Sequence, residues 1–113
     1  MGEQRIDKLQ DLPLLLDIYG CLLTDKQRQA LSLTYEEDCS LAEIAALHGG
    51  TRQAVFSLIE RGEALLRDYE ARLHLLEQER ERSDALRRLS QVLAAIPMEA
   101  EERRATEELL CRL

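Results

Sequence analysis

Apolar residues recur at helical spacing along most of this chain, and short polar or glycine breaks divide them into segments. Asp11 with Pro13 two residues later predicts a capped helix start, with Leu14, Leu15, Leu16, Ile18 and Leu22 turned toward a core. A second helix is expected from Thr24, whose hydroxyl can accept from an amide three residues on while Gln27 reaches back. Ala30, Leu31 and Tyr35 then share a face. Ser40 and Glu43 form the same capping box ahead of Leu41, Ile44, Ala45 and Leu47. Gly49 and Gly50 stop that short helix, and Thr51 caps the next.

From Arg52 to about Arg82 there is no proline and one glycine, Gly62, so the pattern predicts a single helix of roughly 45 Å. Leu66, Tyr69, Leu73 and Leu76 step along it by 3, 4 and 3 residues, which is a heptad seam. A second seam runs through Leu86, Leu89, Leu93 and Ile96, reached by a register skip or a bend near Ser83 and Asp84. Pro97 ends that helix, and a further short one is expected between Glu99 and Leu113, with Ala105, Leu109, Leu110 and Leu113 apolar. On a lone chain the stripe Leu65, Leu66, Tyr69, Leu73 and Leu76 would face water. Together with Leu86 and Leu89 it is the expected interface of a homodimer, the competing arrangement being a return segment folded back within one chain. The organisation expected is a head over residues 1–63 and an arm over residues 64–113, in one integrated domain.

Two short helices joined through glycine, with a small residue in the first, are what a helix-turn-helix requires. Ala45 leaves room for the second helix to cross, Gly49 can take the left-handed conformation of the turn, and Val55 and Leu58 pack back on the first helix. The second helix of such a motif enters the major groove with its N-terminal side chains toward the bases. The candidate readers are therefore Arg52, Gln53, Ser57 and Arg61, with Thr51 near a phosphate. Arginine can pair with guanine through two hydrogen bonds and glutamine with adenine. Glu60 and Glu63 would oppose phosphates, and Phe56 is either partly buried or an apolar contact to a groove or a partner. Gly50 occupies the position where an apolar residue such as valine usually plugs the corner, so the turn is expected to be looser than most.

The stretches LLTDKQRQALSLTYEEDCSLAEIA and TRQAVFSLIERGEALLRDYEARLHLL resemble the YlxM family of small bacterial helix-turn-helix proteins, over roughly Tyr19 to Leu89. At the level of fold they also resemble region 4 of bacterial sigma factors, within the winged-helix superfamily. The resemblance implies an all-α protein: a helix-turn-helix head, a long C-terminal helix and return helices. It implies a DNA-binding regulatory role, and, since genes of the family sit beside that of the signal recognition particle GTPase, a component of that particle as partner. Residues beyond position 97 lie outside the resemblance.

Composition supports an all-α reading, because hydrophobic residues make up 45% and aromatics only 4%, leaving Leu, Ile, Val and Ala to build the core. The net charge of -7 weakens the case for tight DNA binding, which needs a basic face to neutralise phosphates. Any double-stranded DNA binding is expected to be weak and to come from a local cluster. The acidity suits a second class of function instead, an adaptor that meets a basic protein or RNA–protein partner. Cys21, Cys39 and Cys111 are widely spaced and neither they nor His48 and His74 have ligand spacing, so no disulfide, metal or cofactor is expected. No phosphate loop or nucleophile–base motif appears and catalysis is not expected. Glu36, Glu37 and Asp38 read as an exposed turn. No window is apolar enough to span or insert in a membrane, and the first residues lack a signal-peptide core, so a cytoplasmic protein is expected.

Overall fold

The computed structural model describes residues 11–113, and its elements are α1 (Asp11–Tyr19), a single 3-10 turn (Gly20–Leu22), α2 (Asp25–Tyr35), α3 (Leu41–His48), α4 (Arg52–Leu73), α5 (Leu75–Ala95) and α6 (Ala100–Arg112). No strand, and so no β wing, occurs among the described residues. Both capping boxes form: the hydroxyls of Thr24 and Ser40 accept from the amides of Gln27 and Glu43, and those two side chains accept from the cap amides in return. Asp11 does not cap α1; it is itself helical and buried. Packing separates two compact units, Met1–Leu76 and Glu77–Leu113.

The core of the first unit collects Leu12, Leu15, Leu16 and Tyr19 from α1, Ala30 and Leu31 from α2, Ile44 from α3, and Val55, Ile59 and Leu66 from α4, closed by Leu23 and Leu76. Leu14 and Leu22, expected inside, are exposed. The buried residues of α1 follow a 3-1-3 spacing that leaves Leu14 on the outer side, and Leu22 sits in the 3-10 turn, out of register with the helix before it. Gly62 lets α4 lie close on α2: a methyl group there would fall 2.7 Å from Leu31 Cδ1 and 3.3 Å from its Cγ. Leu31 is fully buried and has no open space to yield into, so glycine is what this crossing accommodates.

The expected uninterrupted helix from Arg52 to Arg82 does not form. It ends at Leu73, where His74 takes the left-handed conformation (φ 55°, ψ 32°), and α5 then runs unbroken through Ser83 and Asp84, the place where a bend was expected. Neither glycine nor proline marks the break; side chains hold it. The Tyr19 hydroxyl donates to Glu70 Oε1 at 2.7 Å and accepts from the Leu75 amide at 3.2 Å, while the Leu76 amide donates to the same carboxylate oxygen at 3.0 Å. The first amides of α5 thus find partners on α1 and α4, and a carboxylate stands where a helix N-terminus favours negative charge.

That break also removes the premise of the expected exposed stripe. Leu66 is 1% exposed and Leu76 6%, both in the core of the first unit, where Leu65 and Tyr69 pack half-buried; the Tyr69 ring lies 5.8 Å from that of Tyr19. Of the five residues only Leu73, at 47%, faces water. The heptad spacing records the side of α4 that covers α1, not a seam open to a second chain. The first unit extends past residue 63 for the same reason.

In the second unit, Arg103 near the start of α6 donates to the Ile96 carbonyl at 2.6 Å and to the Leu93 carbonyl at 3.4 Å, capping the end of α5. The charged run on α5 pairs locally, Arg82 with Glu79, and Arg87 and Arg88 with Asp84, as a solvated helix face does. Leu86 is half-buried and Leu89 exposed, and α6 contains no buried residue.

Candidate nucleic-acid interface

α3 and α4 meet through Gly49, Gly50 and Thr51, and the geometry of those three residues decides how α4 is presented. Gly49 has φ 80° and ψ 168°, an extended mirror conformation and not the left-handed helical one expected; Gly50 also has positive φ, at 92°. The second glycine is therefore a backbone requirement of this turn, and its effect is not simply a missing plug. No atom lies within 4 Å of a Cβ built at either position, so conformation and not space excludes side chains. A cleft of about 400 Å³ remains at the corner, floored by Ala30, Ile44 and Val55 and rimmed by Lys26, Gln29 and His48. Gly50→Val, which restores the usual corner residue, should for this reason destabilise the head by about 1–3 kcal/mol in urea titration, with Gly50→Asn less costly. Equal stability of the valine variant would show that the turn relaxes to negative φ.

Thr51 starts α4 by accepting from the Ala54 amide at 3.0 Å, which leaves its hydroxyl proton free for an outside acceptor. Arg52 and Gln53 follow at once, both exposed, and Arg61 is exposed two turns further on; Ser57 is half-buried. These five candidate readers thus lie along one helix, with Thr51, Arg52 and Gln53 gathered at its N-terminal end. Phe56, at 49% exposure, keeps about half of its surface in water and stands one turn after Arg52. Leu47 on α3 is also exposed. Val55 is buried and Leu58 half-buried toward α3, as the motif requires.

Of the two acids expected to repel phosphates, only Glu60 is on the surface. Glu63 is 5% exposed: the Tyr35 hydroxyl donates to it, and Arg67 lies 3.8 Å away. Its charge points into the head, so the outward face of α4 is less acidic than the sequence suggests. Burial first, and then the bonds to Glu70 and Glu63, raise the phenol pKa values of Tyr19 and Tyr35 above the usual range. The folded protein holds these protons more tightly than the unfolded chain, whose tyrosines titrate near 10.0. The stabilisation is intact below that pH and is lost as pH rises through the folded values. Stability in urea should accordingly be level up to about pH 10 and fall above it, and the double Tyr19→Phe, Tyr35→Phe variant, weaker at neutral pH, should lose that slope.

The tyrosine–glutamate pairs are the residues that sequence reasoning missed. Their signal was Glu63 and Glu70, seven residues apart and flanking Leu66 on the apolar side of α4. Elsewhere, hydrogen bonds from Ser40 hold the Glu43 carboxyl below the usual carboxylate range, which fixes the start of α3. Desolvation and the nearby Glu43, Glu37 and Asp38 raise the Cys39 thiol, keeping it protonated and a poor nucleophile. Cys21, Cys39 and Cys111 are free thiols. Among the described residues no group of three His, Cys, Asp or Glu side chains could hold a metal ion, and no helix is long and apolar enough to cross a membrane.

Comparison with known proteins bears on this geometry. Residues 6–106 match the family described as "Putative helix-turn-helix protein, YlxM / p13 like", UPF0122. The UPF0122 protein BH2485 of Halalkalibacterium halodurans is 42% identical over 108 residues, 96% of this chain and 92% of that one. The UPF0122 protein STH1464 of Symbiobacterium thermophilum is 42% identical over 84% of this chain and 89% of its own, and BcerKBAB4_3669 of Bacillus mycoides is 40% identical over 92% and 89%.

Proposed function

The chain belongs to the UPF0122 family of YlxM / p13-like helix-turn-helix proteins, and from that premise we propose that it is a cytoplasmic DNA-binding regulatory protein whose duplex contacts come from the start of α4. The observation that carries this reading is the exposure of Arg52 and Gln53 directly after the Thr51 cap, at the N-terminal end of α4. Arg52 and Gln53 are the base readers, Thr51 donates to a phosphate, and Arg61 contributes charge further along the groove, with Ser57 at the margin. Two chains would set two α4 helices against half-sites roughly 34 Å apart.

With Arg52 and Arg61 as the cations among the five candidate readers, each neutralising one phosphate, affinity is weak at physiological salt, and log K falls by about 2 per tenfold rise in salt for each chain. Binding to a genomic fragment pool followed by mobility shift tests the assignment. Arg52→Ala with Gln53→Ala should abolish the retained complexes while helical content stays as in the wild type. Shifts unchanged in the double variant would remove these residues as readers.

A second reading, an adaptor for the signal recognition particle, is supported by the net charge of -7 and by the exposed Leu47 and Phe56 on the same motif. A basic protein or its RNA would then be the partner. Capture from cell extract with and without nuclease separates the two: loss of every partner on nuclease treatment favours nucleic acid, and retention of a particle protein favours the adaptor.

A further inference from the structure

The second unit, Glu77–Leu113, spans most of α5 and all of α6, and none of its residues is buried. Leu89, Val92, Ile96, Leu109 and Leu113 are 43–66% exposed, on a chain segment whose hydrophobic seams have the spacing of packed helices. Leu86, Leu93 and Leu110, on neighbouring sides of the two helices, are no more than half-buried. Arg103 fixes the corner between α5 and α6 through the Leu93 and Ile96 carbonyls, so the two apolar faces are presented in a set arrangement.

Charge singles out what covers them. Beyond Asp84, which pairs with both, α5 carries Arg87 and Arg88 and no acid as far as Pro97, so one positive charge is left over at its end. Glu99, Glu101, Glu102, Glu107 and Glu108 then outnumber the three arginines of α6. α5 as a whole balances four acids with four bases, but its end beyond Asp84 is basic while α6 is acidic, and a surface so divided is complementary to itself when turned by a two-fold axis, since the end of α5 of each copy meets α6 of the other. From this pattern, together with the uncovered apolar residues, we infer that the partner of the α5–α6 segment is a second copy of this chain, held by Leu89, Val92, Ile96, Leu109 and Leu113. The homodimer expected from the sequence thereby rests on its C-terminal part, where Leu86 and Leu89 were already expected, without the α4 stripe. The inference is independent of DNA reading, since it involves no residue of α4.

Sedimentation equilibrium of the full chain at tens of micromolar, with helical content checked by circular dichroism, tests it through a charge exchange. Wild type should be dimeric. Arg87→Glu with Arg88→Glu makes the end of α5 acidic like α6, and Glu107→Arg with Glu108→Arg makes α6 basic like the end of α5, so each variant alone should dimerise at least tenfold more weakly. An equimolar mixture of the two should recover the wild-type dissociation constant, because every α5–α6 contact then joins opposite charges. A monomeric wild type would overturn the proposal. So would a dimer that both variants leave unchanged, and in that case the DNA-reading assignment of α4 would still stand.

Discussion

Leu66→Lys should unfold the first unit, whereas Leu73→Lys, seven residues on in the same heptad column, should leave it folded. At 1% exposure Leu66 lies among the buried residues of the head, and the lysine would lose the leucine's packing and carry a charge into the core. Truncating a buried leucine alone costs about 2–5 kcal/mol, and an unpaired buried charge adds several more, against a total domain stability of about 5–15 kcal/mol. Leu73 is 47% exposed, and a lysine there can keep its stem on the surface and its ammonium in water, at about 0.5–1 kcal/mol. Far-ultraviolet circular dichroism and urea titration of the two variants check the contrast. Equal tolerance would mean that α4 is not packed on α1 as described.

The same pair of residues shows where the sequence was legible and where it was not. Local signals carried well: the boxes at Thr24–Gln27 and Ser40–Glu43, the Thr51 cap and the glycine stop each depend on side chains within three residues of the backbone they serve. Arg52 and Gln53 lie exposed directly after that cap, so their surface placement was legible, while their role as readers rests on the binding experiment. What a heptad gives is the apolar side of a helix, not the identity of what covers it. Leu66 and Leu76 were read as open to a partner when they face α1 and its neighbours in the same chain. The end of α4 at Leu73 was invisible for a related reason. Helix propensity is favourable on both sides of His74, and the break is set by Tyr19, which is 51 residues from Glu70 along the chain. Gly50 misled differently: the absence of a corner side chain was legible, but the positive φ that makes glycine necessary was not.

Glu70→Ala should then be among the most damaging polar substitutions in the head. The carboxylate oxygen Oε1 accepts from both the Tyr19 hydroxyl and the Leu76 amide, in a site where Tyr19 is 1% and Glu70 5% exposed. Alanine leaves two donors without that acceptor in a place water reaches poorly. At about 1–3 kcal/mol for each unsatisfied buried group, the loss should be about 2–4 kcal/mol. Glu70→Gln keeps an acceptor oxygen at nearly the same position and should cost about 1 kcal/mol, which separates the hydrogen bonds from the packing of the side-chain stem. The effect should also have an address. The Leu75 and Leu76 amides, bonded to Tyr19 and Glu70, should exchange hydrogen faster in Glu70→Ala by a larger factor than amides in the middle of α2, and Glu70→Gln should restore most of the protection. Uniform acceleration across the head would indicate a general loss of stability and no specific role for Glu70 in starting α5. With the carboxylate gone, the side-chain tie left from α1 to the start of α5 is the Leu75 amide bond to the Tyr19 hydroxyl, and the shortest relaxation undoes the left-handed turn at His74 and joins α4 to α5 as the single helix that the residue pattern alone predicts. A second substitution, His74→Ala, removes the residue that most readily accepts that turn. Made in the Glu70→Ala background, it should raise helical content at residue 74, read from its carbon chemical shifts, whereas His74→Ala alone, with Tyr19 and Glu70 still in place, should only lower stability.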